Sequence, residues 1–332
     1  MVRQAHSARG LLIANSGAGK KLDQSARLEK VREFFTRGGP PVDITLIEHK
    51  MDATPIARAA VRDGCRLVIA MGGDGTIAAV IRGIAGSKAV LGIIRSGTLN
   101  DIGKSLGIPD DPEEACQLIA AGHTRQLDLG KVKTSRGRES YFFMATAIGL
   151  HAALDPLFKS VPKGNLAGIN KGIQTFLRYD SRSKVFLTLD DERKIEVETM
   201  CVTVANLPLA GFNNLVAPDA SSEDGLLDIQ VYPGFTKAEL LAYFAKTANQ
   251  GTSEDGRLQR YQARKIKVKS TLAMKVTADG VRLGKGTVRI KALHHALSVI
   301  APEPGLGVEA AQNTGEDRKV AAPHPAQIAK DR

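Results

Sequence analysis

The stretch VIAMGGDGTIAAVIRGIAG, residues 68–86, runs an apolar strand into two glycines, an aspartate, a third glycine and a threonine, and then into a helix. Glycine loses more backbone freedom on folding than any other residue, so ordering three of them within four positions is unfavourable unless bare backbone is needed there. Bunched N–H groups followed by a helix N-terminus make a cradle for phosphate oxygens. Asp74 in its midst would repel phosphate unless a hard cation stands between them, shared by carboxylate and phosphate. Other phosphate loops fit less well. For the pattern GxxxxGK[ST], the nearest candidate is ANSGAGKK (14–21), which has Ala14 for the first glycine and Lys21 for the hydroxyl. The dinucleotide pattern is met only loosely by GDGTIA (73–78), after the third strand where it belongs after the first. The stretch reads as a Mg-nucleotide loop.

Working outward, GLLIAN (10–15), VDITLIE (42–48), RLVIAM (66–71) and AVLGII (89–94) are apolar strands separated by helical patterns near 22–37 and 52–62 and by the helix that follows the glycine loop. That alternation predicts a parallel sheet covered by helices, residues 1–125, with ligands beyond the carboxyl ends of its strands. Both GGDGT (72–76) and SGTLND (96–101) fall at such ends. From 126 to 302 strand-like pieces dominate, among them RQLDLGKVK, KVFLTLD, KIEVETMCVTVAN and ARKIKVKS, with helical patterns at 151–180 and 236–249. The expected architecture is α/β, an N-terminal nucleotide domain followed by a C-terminal antiparallel β-sandwich, with the cleft between them. Residues 303–332 lack periodicity and are rich in Pro, Gly, Ala and charge, which predicts a disordered tail.

Composition narrows the function classes. The 332 residues are 43% hydrophobic and 24% charged, ordinary for a globular protein, and the net charge of +11 suits an anionic partner or simple solubility. With no Trp, 5 Tyr and 10 Phe, there is little material for stacking bases, so no nucleic-acid partner is expected. Cys65, Cys116 and Cys201 are scattered and form no CxxC, which argues against a disulfide framework or zinc ribbon and fits a reducing cytoplasm. The apolar run before Asn15 is too short for a signal peptide, and no run of about 18 apolar residues spans a membrane.

Several motifs together carry a resemblance. MGGDGT (71–76) followed by GTLND (97–101) resembles the catalytic domain of the diacylglycerol kinase and sphingosine kinase family, particularly its bacterial soluble lipid kinases. NSGAG (15–19) resembles the family's opening loop, with Ser16 where Pro is usual. LDLGKV (127–132), APDASSEDGLLDI (217–229) and ADG (278–280) resemble its β-domain motifs, in the family's order.

The resemblance implies that Gly72, Gly73, Asp74, Gly75, Thr76 and Ile77 hold the phosphates of ATP, with Asn15 and Thr98 nearby. It implies that Asp74, Asp101 and Asp128 belong to a carboxylate and water network around a catalytic Mg²⁺. It further implies a structural Mg²⁺ held by the Asp224 carboxylate and the carbonyls of Ser221 and Leu226. The family's Asp-Gly-Glu reads Asp279-Gly280-Val281 here, so the glutamate thought to act as base is missing and Asp279 is left to take the proton.

Each residue also has a plainer reading: Asp101 as a helix cap, Asp128 and Asp224 as turn or surface acids, Asp279 as the turn acid of a hairpin. His294 and His295 lie in an apolar strand pattern without a carboxylate or Cys at ligand spacing and read as structural. Residues 151–184 mix apolar residues with Lys159, Lys163, Lys171, Arg178, Arg182 and Lys184, which suits either a solvated helix or one lying on an anionic membrane. The expected activity is a Mg-ATP-dependent lipid kinase acting on a lipid alcohol, cytoplasmic or peripheral at the inner membrane face, with a homodimer as a possible assembly. The alternatives are a metabolite kinase of the NAD-kinase type, which also uses GGDGT, and a catalytically weak nucleotide- or lipid-binding regulator.

Overall fold

The structure, a computed structural model, describes residues 10–17, 21–48, 51–160, 165–179, 182–209, 214–250 and 255–303. Ala18 and Gly19 of the opening loop, Lys163, and the expected tail beyond residue 303 lie outside the described residues.

The first part contains four parallel strands, β1 (Gly10–Asn15), β2 (Val42–Ile47), β3 (Leu67–Gly72) and β4 (Val90–Arg95), in the order β2-β1-β3-β4. The helices are α1 (Lys21–Arg37), α2 (Thr54–Arg62), α3 (Asp74–Ile84), α4 (Asp101–Ser105) and α5 (Pro112–Ala121). β3 and β4 are apolar without alternation because helices cover both of their faces. The α3 helix has Ile77, Ala78, Val80, Ile81 and Ile84 all essentially inaccessible, the mark of a helix enclosed on most sides. It packs so closely on α2 that a methyl group at Gly83 would lie 2.6 Å from the Ala57 Cβ. Asp111 starts α5 by accepting the Glu113 and Glu114 N–H groups, and Gly122 (φ 72°) ends it.

The second part is antiparallel. Its strands are β5 (Thr124–Thr134), β6 (Glu139–Phe142), β7 (Ala145–Gly149), β8 (Ser183–Leu189), β9 (Arg193–Ala205), β10 (Leu227–Pro233), β11 (Gln259–Ala263), β12 (Lys265–Ser270), β13 (Lys275–Ala278), β14 (Val281–Lys285) and β15 (Val288–Ile300). Three helices, α6 (Leu150–Ser160), α7 (Leu166–Arg178) and α8 (Lys237–Gln250), interrupt them. β8 alternates buried and exposed residues along its length, one face in the core and one in water.

The two parts are joined through β15. It pairs antiparallel with β5 along most of its length, and its last residues, Ser298 and Val299, pair in parallel with Val90 and Leu91 of β4. The core is shared as well: Phe143, Met144 and Leu207 from the second part pack in one cluster with Ile77, Val80 and Ile81 of α3. The helix that follows the glycine loop is therefore held from both sides.

Candidate active site

The strand order changes direction between β1 and β3, since β1 leads outward to β2 and the chain then returns to β3 on the other side of β1. In open α/β sheets such a switch point opens a crevice at the carboxyl ends of the two strands. The residues found there are Asn15, ending β1, and Gly72, ending β3. Asn15 spans the crevice edge: its Nδ2 donates to Thr76 Oγ1 at 2.9 Å, and its Oδ1 accepts the Gly17 N–H at 3.0 Å.

The glycines of the loop have distinct reasons. A Cβ on Gly72 would lie 2.6 Å from the Thr76 Cβ, so the turn into α3 closes only over a hydrogen atom. Gly73 and Gly97 meet backbone to backbone, a Cβ on Gly97 falling 2.3 Å from the Gly73 Cα. A Cβ on Gly75 would meet nothing within 4 Å, so this backbone faces open space. Asn100, in the left-handed region at φ 58°, closes the second loop by accepting from Gly97 N and donating to Gly97 O. Asn100 was not singled out from the sequence, although it stands inside GTLND.

Asp74 begins α3, where a carboxylate is favoured by the helix dipole. Its Oδ1 accepts the Ile102 N–H at 2.9 Å, fastening α3 to the start of α4. Asp101, beside that donor, is fully buried. Thr98 is exposed at the tip of the second loop, and Thr76 is buried. Ile77 is placed differently from the phosphate-holding residues it was grouped with. Its side chain is wholly in the core, and its N–H closes the first helical turn on Gly73 O at 3.1 Å.

Asp279 occupies the turn between β13 and β14, with positive φ at Asp279 (41°) and Gly280 (72°), as a two-residue hairpin of this twist demands. Its carboxylate accepts the N–H groups of Phe143 (2.6 Å), Met144 (3.1 Å) and Ala145 (3.0 Å). Phe143 and Met144 are the residues that dock on α3, so Asp279 fixes the contact between the two parts. The residue is half-exposed but its carboxylate is enclosed. Burial pushes it up to about 6, opposed by the three N–H donors and by the Arg82 guanidinium. Burial likewise lowers Arg82, which Asp279 and Asp52 support. Val281 packs against the β-domain core.

Asp128 is fully buried on β5. Its Oδ2 accepts the Gly225 N–H at 2.6 Å, and its Oδ1 accepts the His295 N–H at 2.7 Å and lies 2.9 Å from His294 Nδ1. Among the described residues, the one set of three such side chains with ligand atoms within 4.8 Å of one another is Asp128, His294 and His295; Asp74, Asp101 and Asp128 do not form such a set. Local sequence carries no signal for this, because the carboxylate missing beside the two histidines comes from a strand 166 residues away. Asp128 N–H also donates to Ser222 O at 2.6 Å, so the segment carrying Ser221, Asp224 and Leu226 is sewn to β5. Asp224 is exposed, with Oδ1 accepting the Leu226 N–H at 2.9 Å.

A glycine-rich loop at a sheet switch point, beside an antiparallel β part, is an arrangement able to receive phosphate. Comparison with known proteins makes this specific. The diacylglycerol kinase catalytic domain matches residues 9–132, and the YegS C-terminal NAD kinase beta sandwich-like domain matches residues 159–301. A diacylglycerol kinase of Mycobacterium tuberculosis is 28% identical over 258 residues, 76% of this chain and 82% of that protein. A diacylglycerol kinase of Bacillus subtilis is 27% identical over 307 residues, 89% and 97% of the two chains. The crystal structure of a candidate diacylglycerol kinase from Bacillus anthracis superposes with a TM-score of 0.70 at 25% identity, covering 89% of this chain and 97% of that one. The chain carries a diacylglycerol kinase catalytic domain followed by a YegS-type C-terminal domain and is a kinase of that lipid-kinase type.

Proposed function

We propose that the protein transfers the γ-phosphate of ATP to the hydroxyl of diacylglycerol or a related lipid alcohol, with Mg²⁺. The observation that carries this reading is the crevice edge at Asn15, Gly75 and Thr76, where bare backbone faces open space beside the carboxylate of Asp74. Gly72, Gly73 and Gly75 let phosphate oxygens approach the start of α3, whose N–H groups and dipole receive them. Asp74, with Asp101 behind it, is the carboxylate that would hold the metal ion; bound there, the ion neutralises phosphate charge, the main electrostatic demand of phosphoryl transfer. Asp128 acts on this site through the 221–226 segment, where Ser221, Asp224 and Leu226 would hold a second, structural Mg²⁺. Asp279 takes the proton of the acceptor hydroxyl as its oxygen bonds to the γ-phosphorus and the bond to the bridging oxygen breaks. A carboxylate held near neutrality suits that task.

The acceptor is presented at a membrane surface by α7. Leu166, Ile173 and Leu177 are exposed along one side of this helix (79%, 47% and 67%). Lys171 belongs to a cationic group with Lys275, Arg282 and Lys285, in which burial and then its cationic neighbours lower Lys275. An apolar strip flanked by cations is the pattern of a helix lying on anionic lipid. Among the described residues no helix is long and apolar enough to cross a membrane.

The test is transfer of label from γ-labelled ATP with diacylglycerol vesicles, mixed bacterial lipids and NAD as parallel acceptors. Label in a lipid phosphate is expected. Label in NADP would replace this reading with a metabolite kinase, and binding without turnover would make the chain a regulator.

A further inference from the structure

We infer that Asp128, His294 and His295 form a binding site for a borderline divalent transition-metal ion, of the kind represented by Zn²⁺. The strands show why these three residues meet. β15 and β5 keep register from Val288↔Thr134 to Leu293↔Leu129, and resume it at Leu297↔Leu127. His294, His295 and Ala296 thus stand opposite Asp128 alone, and the Asp128 carboxylate fills the bulge by taking the His295 N–H. In a regular strand neighbouring side chains point to opposite faces. Here the bulge, with His295 at φ 51°, puts both imidazoles on one side, their ring centroids 3.6 Å apart.

The electrostatics favour a cation. Asp128 is wholly buried, and among the described residues its one ion-pairing side chain within 4 Å is His294. Both histidines are exposed, so an ion can reach their rings from solvent. Stacked rings hold their in-plane lone pairs nearly parallel, so one exposed imidazole turns for both to reach a single ion; one nitrogen of each ring and an Asp128 oxygen already lie within 4.8 Å of one another. Gly225 leaves room for this: its N–H holds Asp128 Oδ2, and a Cβ there would stand 3.1 Å from His294 Nδ1. Two imidazole nitrogens and one carboxylate oxygen form a donor set for Zn²⁺, Co²⁺ or Ni²⁺, whereas Mg²⁺ takes oxygen. The site is thereby distinct in chemistry from the all-oxygen segment at 221–226, and it does not depend on the kinase reading.

The experiment titrates the intact chain with Zn²⁺ by calorimetry in excess Mg²⁺, and with Co²⁺ by visible absorption. One Zn²⁺ per chain and Co²⁺ bands of a nitrogen-containing site are expected. His294→Ala and His295→Asn should each weaken binding by about tenfold or more, since even indirect loss at such sites costs that much. His295→Asn keeps a residue that tolerates the left-handed backbone, so folding is preserved and is checked by thermal melting. Absence of Zn²⁺ binding in excess Mg²⁺, or binding unchanged in both variants, would overturn the inference.

Discussion

Asp74 and Asp279 are both acids at turns, both expected at the active site, and the fold treats them in opposite ways. Asp74 is half-buried at a helix start and, among the described residues, has a single main-chain donor, on one oxygen. Asp279 has an enclosed carboxylate that three successive main-chain N–H groups occupy. An acid with an oxygen to spare can serve a ligand, while an acid saturated by backbone first serves the fold. The contrast predicts separable phenotypes: Asp74 should matter to turnover and little to stability, and Asp279 to both.

The largest effect is expected at Asp74. Asp74→Asn should lower kcat by about 10²–10³-fold, the usual consequence of losing a group that stabilises developing charge. Its melting temperature should fall only slightly, as for one hydrogen bond of about 1 kcal/mol. A kcat within a few-fold of the parent would remove Asp74 from the metal and leave it as the tie between α3 and α4.

Asp279→Asn comes next. The substitution turns one acceptor oxygen into an NH₂ facing N–H donors, and unfolding free energy should drop by about 2 kcal/mol or more. Loss of turnover without loss of stability would mark Asp279 as a base alone; parallel loss would mark it as the clamp that seats Phe143 and Met144 on α3. The pH dependence sharpens this. Asp279 is raised from 3.8 to about 6, so the folded chain binds its proton more tightly than the unfolded chain does. Its contribution to stability is therefore present at acid pH and lost as pH rises through about 6. Turnover that needs the ionised base should rise over the same interval. Opposite slopes in the parent, both abolished in Asp279→Asn, are the expected result from denaturation and initial-rate measurements across that range.

These two acids also show what a sequence can disclose. The strand, glycine loop and helix around Asp74 are local, and their chemistry could be read from 68–86 alone, as could the alternation of strands and helices before residue 125. The parallel-then-antiparallel organisation was legible for the same reason, since periodicity is local. The clamp on Asp279 was not, because its donors lie 134 to 136 residues earlier in the chain. The same distance hid the partner of His294, and it hid Arg82, an ordinary helix residue until the fold sets Asp279 to interact with it. Ile77 was assigned to the phosphate site by its neighbours in the motif, yet the helical period turns its side chain into the core.

The smallest expected change in stability is at Gly75, and there it should run against activity. Gly75 lies within the first turn of α3 with open space where a Cβ would be, so Gly75→Ala removes a poor helix former at no steric cost. The folded state should gain up to about 1 kcal/mol. The added methyl would nevertheless stand where a phosphate oxygen must approach, so KM for ATP should rise while the melting temperature rises with it. Gly97→Ala is the control, because its Cβ meets the Gly73 backbone at 2.3 Å and should lower stability and nucleotide affinity together. If Gly75→Ala leaves KM for ATP unchanged, the open face of the loop is not where phosphate binds. The contrast between Asp74 and Asp279 would then concern two structural acids.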